Sequence, residues 1–457
     1  MSASSPADLE VLAAAVVERA RRGEELEVYV ARSRDTEVRA FEGEVESLSV
    51  ATSAGVGVRV LLGDGQAGAR LGFAWAGSLD QAVVDAALDE ARDNARFATP
   101  DPDLVLARPD GVAAATLALH DESQAAVPTE RKVALAIDLE RRVRGADPRI
   151  RQVSSADYGD DEVEVALAST TGIRAHTLRS SAFMSVSAIA GEGSDTQTGT
   201  GFTVGRSTAA LQPEVAADDA VQRSIRMLGS RKAASGRVTV VLDPRVVSTL
   251  LSVISSALSG EAVVKGRSFF ADRVGEAVAV PALTLVDDPT DERALTAARY
   301  DGEGLACRRN VLVGEGVLAG FVYDTVTARR AGTRSTGSAV RGGFAGTPSP
   351  GCRALQLSPG TLDQAAIIAR VGEGLYVQSV SGVHSGVNTV SGDFSVGVEG
   401  LVIRDGALAE PVREVTVAST LQRMLQSVLF VGSDVTWLPG IAAGQTLAVG
   451  EMQLSGE

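Results

Sequence analysis

Asp243-Pro244-Arg245-Val246-Val247-Ser248-Thr249-Leu250-Leu251-Ser252-Val253-Ile254-Ser255-Ser256 runs on into Ala257-Leu258-Ser259-Gly260-Glu261-Ala262-Val263-Val264-Lys265-Gly266-Arg267-Ser268-Phe269-Phe270. The first part reads as a helix with a clear start. Val247, Leu250, Leu251, Ile254 and Leu258 form an apolar stripe, and Ser248, Ser252, Ser255 and Ser259 a small-polar one. Arg237-Val238-Thr239-Val240-Val241-Leu242 just before it reads as a buried strand. Strand and helix together open a new unit of the chain.

Beyond that helix short strands dominate. Arg308 to Val313 and Val317 to Tyr323 flank Gly314-Glu315-Gly316, and Leu401 to Arg404 and Ala407-Leu408 flank Asp405-Gly406, a two-residue hairpin signal. Helices are expected near 361–373 and 418–428. Toward the N-terminus, helical periodicity over 7–21 precedes a strand at 25–30, a second near 37–49, and two more around a turn at Gly63-Asp64-Gly65. Ser78-Leu79-Asp80-Gln81 has the pattern of a capping box for a helix to about Phe97. Helices at 128–144 and 213–229 enclose strands near 162–169 and 181–190. Gly191 to Gly205 is glycine-rich but lacks a phosphate-loop pattern, so it reads as a flexible hairpin or a close backbone approach. The expected fold is α+β: N-terminal α/β layers plus a larger, mainly antiparallel β C-terminal domain with a few helices. The units fall at 1–110, 111–232 and 233–457.

Composition narrows the function. A formal charge of −15 repels phosphate, and 4% aromatics leaves few rings to stack on bases, which argues against nucleic acid. The apolar stretch at 246–258 is broken by serines and a threonine, and no basic-then-apolar leader opens the chain, so no membrane role is expected. Two cysteines, Cys307 and Cys352, give no disulfide framework. Cytoplasmic localisation is the resulting expectation. His120, His176 and His384 are far apart, and no His-Glu-x-x-His spacing exists, so no metal or other cofactor is expected in this chain.

Leu258, Gly260, Lys265, Gly266, Ser268 and Phe270 match a Leu-x-Gly-[Asp/Glu] and Lys-Gly-x-Ser-x-Phe pattern. Further blocks are Val286-Asp287-Asp288-Pro289, read as a strand and acidic turn, and Asp301-Gly302-Glu303-Gly304. Tyr323-Asp324-Thr325 with Ala328-Arg329-Arg330 and Ser335-Thr336-Gly337-Ser338 follow, then Gly386-Val387-Asn388 with Ser391-Gly392-Asp393-Phe394-Ser395. Together they resemble the TldD/PmbA family, the so-called modulators of DNA gyrase. Thr389 stands where that family usually has proline. In the TldD branch the helix carries a zinc motif, His-Glu-x-x-x-His, and alignment puts Leu251, Ser252 and Ser256 on its chemical positions. Gly440 to Gln445 also lacks the cysteine that TldD-type chains tend to carry there. The chain thus resembles the TldE/PmbA branch, which lacks the zinc motif.

The resemblance implies a non-catalytic, metal-free subunit of a cytosolic metallopeptidase heterodimer. A TldD-like partner would supply zinc, and this chain would help enclose and grip unfolded peptides for proteolysis or peptide maturation. Extended peptides bind by adding to exposed strand edges, which the β-rich C-terminal domain is expected to offer. The alternative is a homodimeric peptide-binding or regulatory protein without proteolytic activity. Candidate peptide- or partner-binding residues are Arg329, Arg330, His384, Asn388 and Asp393. Arg329, Arg330, Arg334 and Arg341 read either as surface ion-pair partners or as a carboxylate clamp. His384 with Asp393 is a weaker idea for a dyad, since no nucleophile elbow accompanies it.

Overall fold

The computed structural model describes residues 6–63 and 67–457. Its first half is α1 (Pro6–Val17), β1 (Glu24–Phe41), β2 (Glu44–Gly63), β3 (Ala69–Ala76), α2 (Gln81–Phe97), α3 (Thr129–Ala146), β4 (Ile150–Ser169), β5 (Arg174–Ala190), β6 (Gln197–Gly205) and α4 (Pro213–Ile225). The six strands form one antiparallel sheet in the order β3-β2-β1-β4-β5-β6. The N-terminal and middle segments therefore contribute three strands each to a continuous sheet.

Alternation along the strands gives the sheet two unlike faces. Leu26, Val28 and Val30 of β1 and Val56, Val58 and Val60 of β2 pack on Leu9, Val16, Val84 and Leu88 of α1 and α2. Val38, Tyr158, Met184 and Val186 pack on Leu139, Val143, Ala216 and Ala220 of α3 and α4. The opposite face turns toward the C-terminal half. On the β6 side, a Cβ on Gly201 would fall 1.8 Å from the Ala216 carbonyl and one on Gly199 2.2 Å from that of Ala220. The glycine-rich run is thus a strand that α4 approaches backbone to backbone.

The second half comprises β7 (Gly236–Leu242), α5 (Pro244–Ala257), α6 (Gly260–Val264), β8 (Leu285–Asp287), β9 (Asn310–Gly314), β10 (Val317–Leu318), α7 (Thr325–Arg330), β11 (Ala339–Val340), β12 (Ser349–Pro350), β13 (Leu355–Leu357) and α8 (Gln364–Val371). It continues with β14 (Gly374–Ser381), α9 (Val383–Gly386), β15 (Asp393–Arg404), β16 (Ala407–Thr420), α10 (Leu421–Gln426), β17 (Val428–Val431), β18 (Thr436–Trp437), β19 (Ala443–Gly444) and β20 (Leu447–Ser455). The large sheet runs β16-β15-β14-β7-β20-β17, and a further β16–β20 pairing rolls it into a barrel. Asp243 caps α5 by accepting from the Arg245 amide at 2.9 Å, and Pro244 needs no amide partner at the first turn. Val246, Val247, Leu250, Leu251 and Ile254 then pack on barrel residues such as Leu375, Val377 and Val396.

Several local expectations change. The strand at 25–30 and the start of the one near 37–49 form one 18-residue β1, and the remainder of the second, past the turn at Glu42-Gly43, opens the 20-residue β2. Asp64 and Gly65 of the expected turn lie outside the described residues, but the strands that flank it do pair, Gly63 with Ala69. No capping box forms: the Ser78 hydroxyl accepts from the Asp80 amide at 3.1 Å, and α2 starts without a side-chain cap. The strand expected to reach Tyr323 ends at Leu318, and the 418–428 helix is short because β16 runs to Thr420. The β16–β20 pairing closes most of the main C-terminal sheet into a ring, and β17, paired with β20, remains an edge strand. A longer open edge lies on β2, which β3 covers only from Val56 onward. Residues 44–53 are exposed on both faces, with Val45, Leu48 and Val50 among them.

Candidate functional site

The helix α5 carries Leu251, Ser252 and Ser256, the three side chains that the family resemblance sets at the zinc-motif positions. Leu251 is 3% exposed and belongs to the hydrophobic core. The Ser252 hydroxyl donates to the Ser248 carbonyl of its own helix at 2.9 Å, and Ser256 is exposed. The neighbouring segment is apolar too: Ala442 lends its carbonyl to the Ser248 hydroxyl at 2.8 Å. Both cysteines are buried, and burial pushes the Cys307 thiol up to about 12 and that of Cys352 well above its ordinary value. His120 pairs with Glu162 at 2.8 Å and His176 with Glu164 at 3.0 Å, both outside this helix. Among the described residues no three His, Cys, Asp or Glu side chains converge as a metal site. These donors do not fit zinc.

Chemistry-bearing side chains gather elsewhere, in a cleft of about 650 Å³ between the bare face of the first sheet and the C-terminal half. Tyr29, Ser33 and Asp35 of β1, Asp161 and Val165 of β4, and Thr177 and Arg179 of β5 form its floor. The segments 297–302, 341–344 and Arg353 form its roof. Phe344 anchors the roof by seating on the sheet where side chains are missing. A Cβ on Gly57 would lie 2.3 Å from the Phe344 carbonyl, and one on Gly55 2.5 Å from its ring. The segment 440–442 links the cleft wall to α5, since Thr296 donates to the Arg353 and Gly440 carbonyls while Ala442 accepts from Ser248.

At the inner end a buried charge network ties the halves together. Arg59 donates to both Glu27 oxygens at 3.1 and 3.2 Å, and Arg341 donates to the same carboxylate from the other half of the chain. Burial opposes ionisation of Glu27, but the two guanidiniums outweigh it and hold the carboxyl below its usual range. Arg341 also stacks over Tyr29 at 4.7 Å. Behind it Asp301 accepts from the Glu303, Leu305 and Ala339 amides at 2.9, 2.9 and 3.1 Å. Burial lifts Asp301 to about 6 and Glu303 to about 8, the latter helped by repulsion from Asp301 and Asp324. Asp287, expected in a turn, is instead fully buried in β8, accepts from the Arg353 and Ala354 amides, and is lifted to about 6 by burial.

The structure brings the sequence candidates together only in part: the Asn388 amide donates to the Asp393 carbonyl at 2.9 Å, but the arginines lie elsewhere. Arg330 pairs with Asp101 and approaches Asp103 at 3.7 Å, while Arg329 lies 3.9 Å from Asp103. Arg334 is exposed, and Arg341 alone of that run reaches the cleft. His384 is exposed on α9, whereas Asp393 accepts from Ser391 at 2.6 Å, so they share no hydrogen bond. Asn388 holds a turn, accepting from the Val390 and Ser391 amides at 2.9 and 3.2 Å. Arg179, Arg353, Tyr29 and Glu27 were missed, because no local spacing links them.

Sheet, barrel and interlobe cleft define an α+β protein. Residues 235–456 match the PmbA/TldA metallopeptidase C-terminal domain, 122–228 its central domain and 26–95 its domain 1. The chain belongs to the PmbA/TldD family. It is 25% identical over 432 residues to the metalloprotease PmbA of Escherichia coli O157:H7, covering 94% of this chain and 92% of that one. It is 27% identical over 336 residues to a metalloprotease TldD homolog of Haemophilus influenzae, covering 70% and 69%. In fold it is similar to a modulator-of-DNA-gyrase protein from Thermotoga maritima (TM-score 0.88, 22% identity, 99% and 100% covered). It is similar too to TldE from Thermococcus kodakarensis (TM-score 0.87, 24% identity, 94% and 97% covered). Among the described residues no helix is long and apolar enough to cross a membrane.

Proposed function

We propose that this chain is a TldE-like, non-catalytic subunit of a two-chain peptidase, working beside a TldD-like partner that supplies the zinc. The observation that carries this reading is the pairing of a complete three-domain family frame with Leu251, Ser252 and Ser256 at the metal-motif positions. In this reading the chain holds unfolded peptide while hydrolysis takes place on the partner. Two features support peptide handling: the cleft, large enough for several residues of extended chain, and the free β2 edge, whose unpaired N–H and C=O groups suit an added strand. Main-chain pairing of that kind binds without reading side chains.

The test is cleavage of an unstructured peptide by this chain, by a cognate TldD-like chain, and by the mixture, with and without chelator. Activity confined to the mixture and abolished by the chelator is the expected result. Cleavage by this chain alone that survives the chelator would overturn the proposal.

A further inference from the structure

Around the inner end of the cleft the guanidiniums of Arg59, Arg341, Arg353 and Arg179 face the carboxylates of Glu27 and Asp301, with Asp287 buried beside Arg353. Glu27 serves two cations, Arg59 and Arg341, with all three side chains no more than 3% exposed. The Nε and Nη1 of Arg341 and the Nε of Arg353 are buried without a hydrogen-bond partner. Arg353 spends one nitrogen on the Ala339 carbonyl at 3.2 Å. Arg179, half-buried in the floor, has no hydrogen bond or ion pair to any described residue. The fields of Arg341, Arg179 and Arg353 all act on the Tyr29 phenol, although burial still raises it. The unpaired nitrogens of Arg341 and Arg353 are enclosed in the fold, where they cost stability, whereas half-buried Arg179 is open to the cleft and is satisfied most simply by a ligand acceptor.

The outer end has the opposite sign. Asp35, Glu37, Asp160 and Asp161 line it. Lys132 neutralises only Asp160, at 2.6 Å. Strand register sets the distance between the ends: Tyr29 lies opposite Leu167 and Asp35 opposite Asp161. Six residues of strand make that separation about 20 Å, the length of roughly six residues of extended peptide. Arg179, opposite Val163, stands between the two ends.

We infer that the inner end is a receptor for the α-carboxylate of an extended peptide, so that the chain binds unfolded peptides by their C-terminus and in one direction. Arg179 and Arg353 would donate to the carboxylate, Arg341 would supply field from behind Tyr29, and the acidic end would face the peptide's amine. Charge-assisted guanidinium–carboxylate bonds are about twice as strong as neutral ones. Directionality follows because a reversed peptide would set carboxylate against carboxylate. The inference rests on the reading of this chain as a peptide handler, but its test needs no partner subunit.

Calorimetry on the full chain alone would compare an uncharged-side-chain hexapeptide as free acid and as C-terminal amide. A third peptide, amidated but with one internal glutamate, and inorganic phosphate complete the set. The free acid is expected to bind at least tenfold tighter than the amide, with millimolar phosphate failing to displace it. Arg179→Met should bring that ratio below threefold while leaving the thermal midpoint unchanged, since Arg179 supports no other group. Equal binding of acid and amide, or a ratio unmoved in the variant, would overturn the inference. So would equal binding of the internal-glutamate amide, which points to side-chain carboxylates, or displacement by phosphate, which points to a small-oxyanion site. Acid preference without cleavage by the two-chain mixture would sink the subunit reading and leave this one standing; cleavage without acid preference would do the reverse.

Discussion

Replacing Glu303 with glutamine is expected to stabilise the chain, and to do so more as the pH rises. The side chain is fully buried; its Oε2 accepts from the Thr325 amide at 2.9 Å and hydroxyl at 2.6 Å, while Oε1 has no partner. Burial, then repulsion from Asp301 and Asp324, lifts the carboxyl from 4.5 to about 8, with Arg59 opposing. A carboxyl raised in the folded state contributes fully below its unfolded value of 4.5 and loses that contribution as the pH climbs through about 8. That gap, at about 1.4 kcal/mol per pH unit, sets the total near 5 kcal/mol. Glutamine keeps the acceptor for Thr325 and has no proton to lose. Urea unfolding of both proteins should therefore differ by about 1 kcal/mol at pH 5.5 and about 4 to 5 kcal/mol at pH 8.5, in favour of the variant. Asp287, lifted to about 6, titrates in both proteins and cancels from the comparison to first order, whereas Asp301 repels an ionised Glu303, so that repulsion is part of the difference and disappears in the variant. A difference that stays constant across the pH range would refute the argument, because it would mean that Glu303 is already ionised in the folded chain.

Glu27→Gln should act in the other direction. Removing the carboxylate leaves Arg59 and Arg341 buried without a counter-charge, a loss of about 3–5 kcal/mol at neutral pH, measurable as a lower urea midpoint. Because Glu27 is held below its usual range, its contribution is present above about 4.5 and fades as acid brings the pH down through the depressed value, so the variant's acid limb should be shallower than the parent's. Gly201→Ala should cost about 1–3 kcal/mol or more, since its Cβ meets the Ala216 carbonyl, and helix backbone cannot yield as a side-chain tip can. Gly145→Ala is the control: it lies within α3 with nothing within 4 Å, and should be neutral or gain about 0.5–1 kcal/mol in thermal denaturation.

Legibility in the sequence followed the range of the interactions. The strand and helix at 236–257 could be read because cap, first-turn proline and apolar stripe all lie within a few residues of one another. β1 was read as two strands because Arg32, Arg34 and Asp35 interrupt its apolar alternation. Those charges lie where the strand passes between two helix-packed cores: Arg32 finds Glu164 on β4 at 2.6 Å, and Asp35 turns into the cleft. The cleft was beyond reach for a stronger reason. Glu27 and Arg341 are 314 residues apart, and a spacing of that size carries no periodic signal.

The helix α5 and the charged cleft differ in how they satisfy their side chains. Leu251 gains about 1.5–3 kcal/mol by burial in the barrel core. Ser252 satisfies its hydroxyl within its own helix, leaving no donor aimed outward. The cleft does the opposite: it keeps Arg179 unpaired and leaves buried nitrogens of Arg341 and Arg353 without acceptors, at a cost to the fold. Under the proposed function, the cost borne at the cleft is one that a bound peptide would offset.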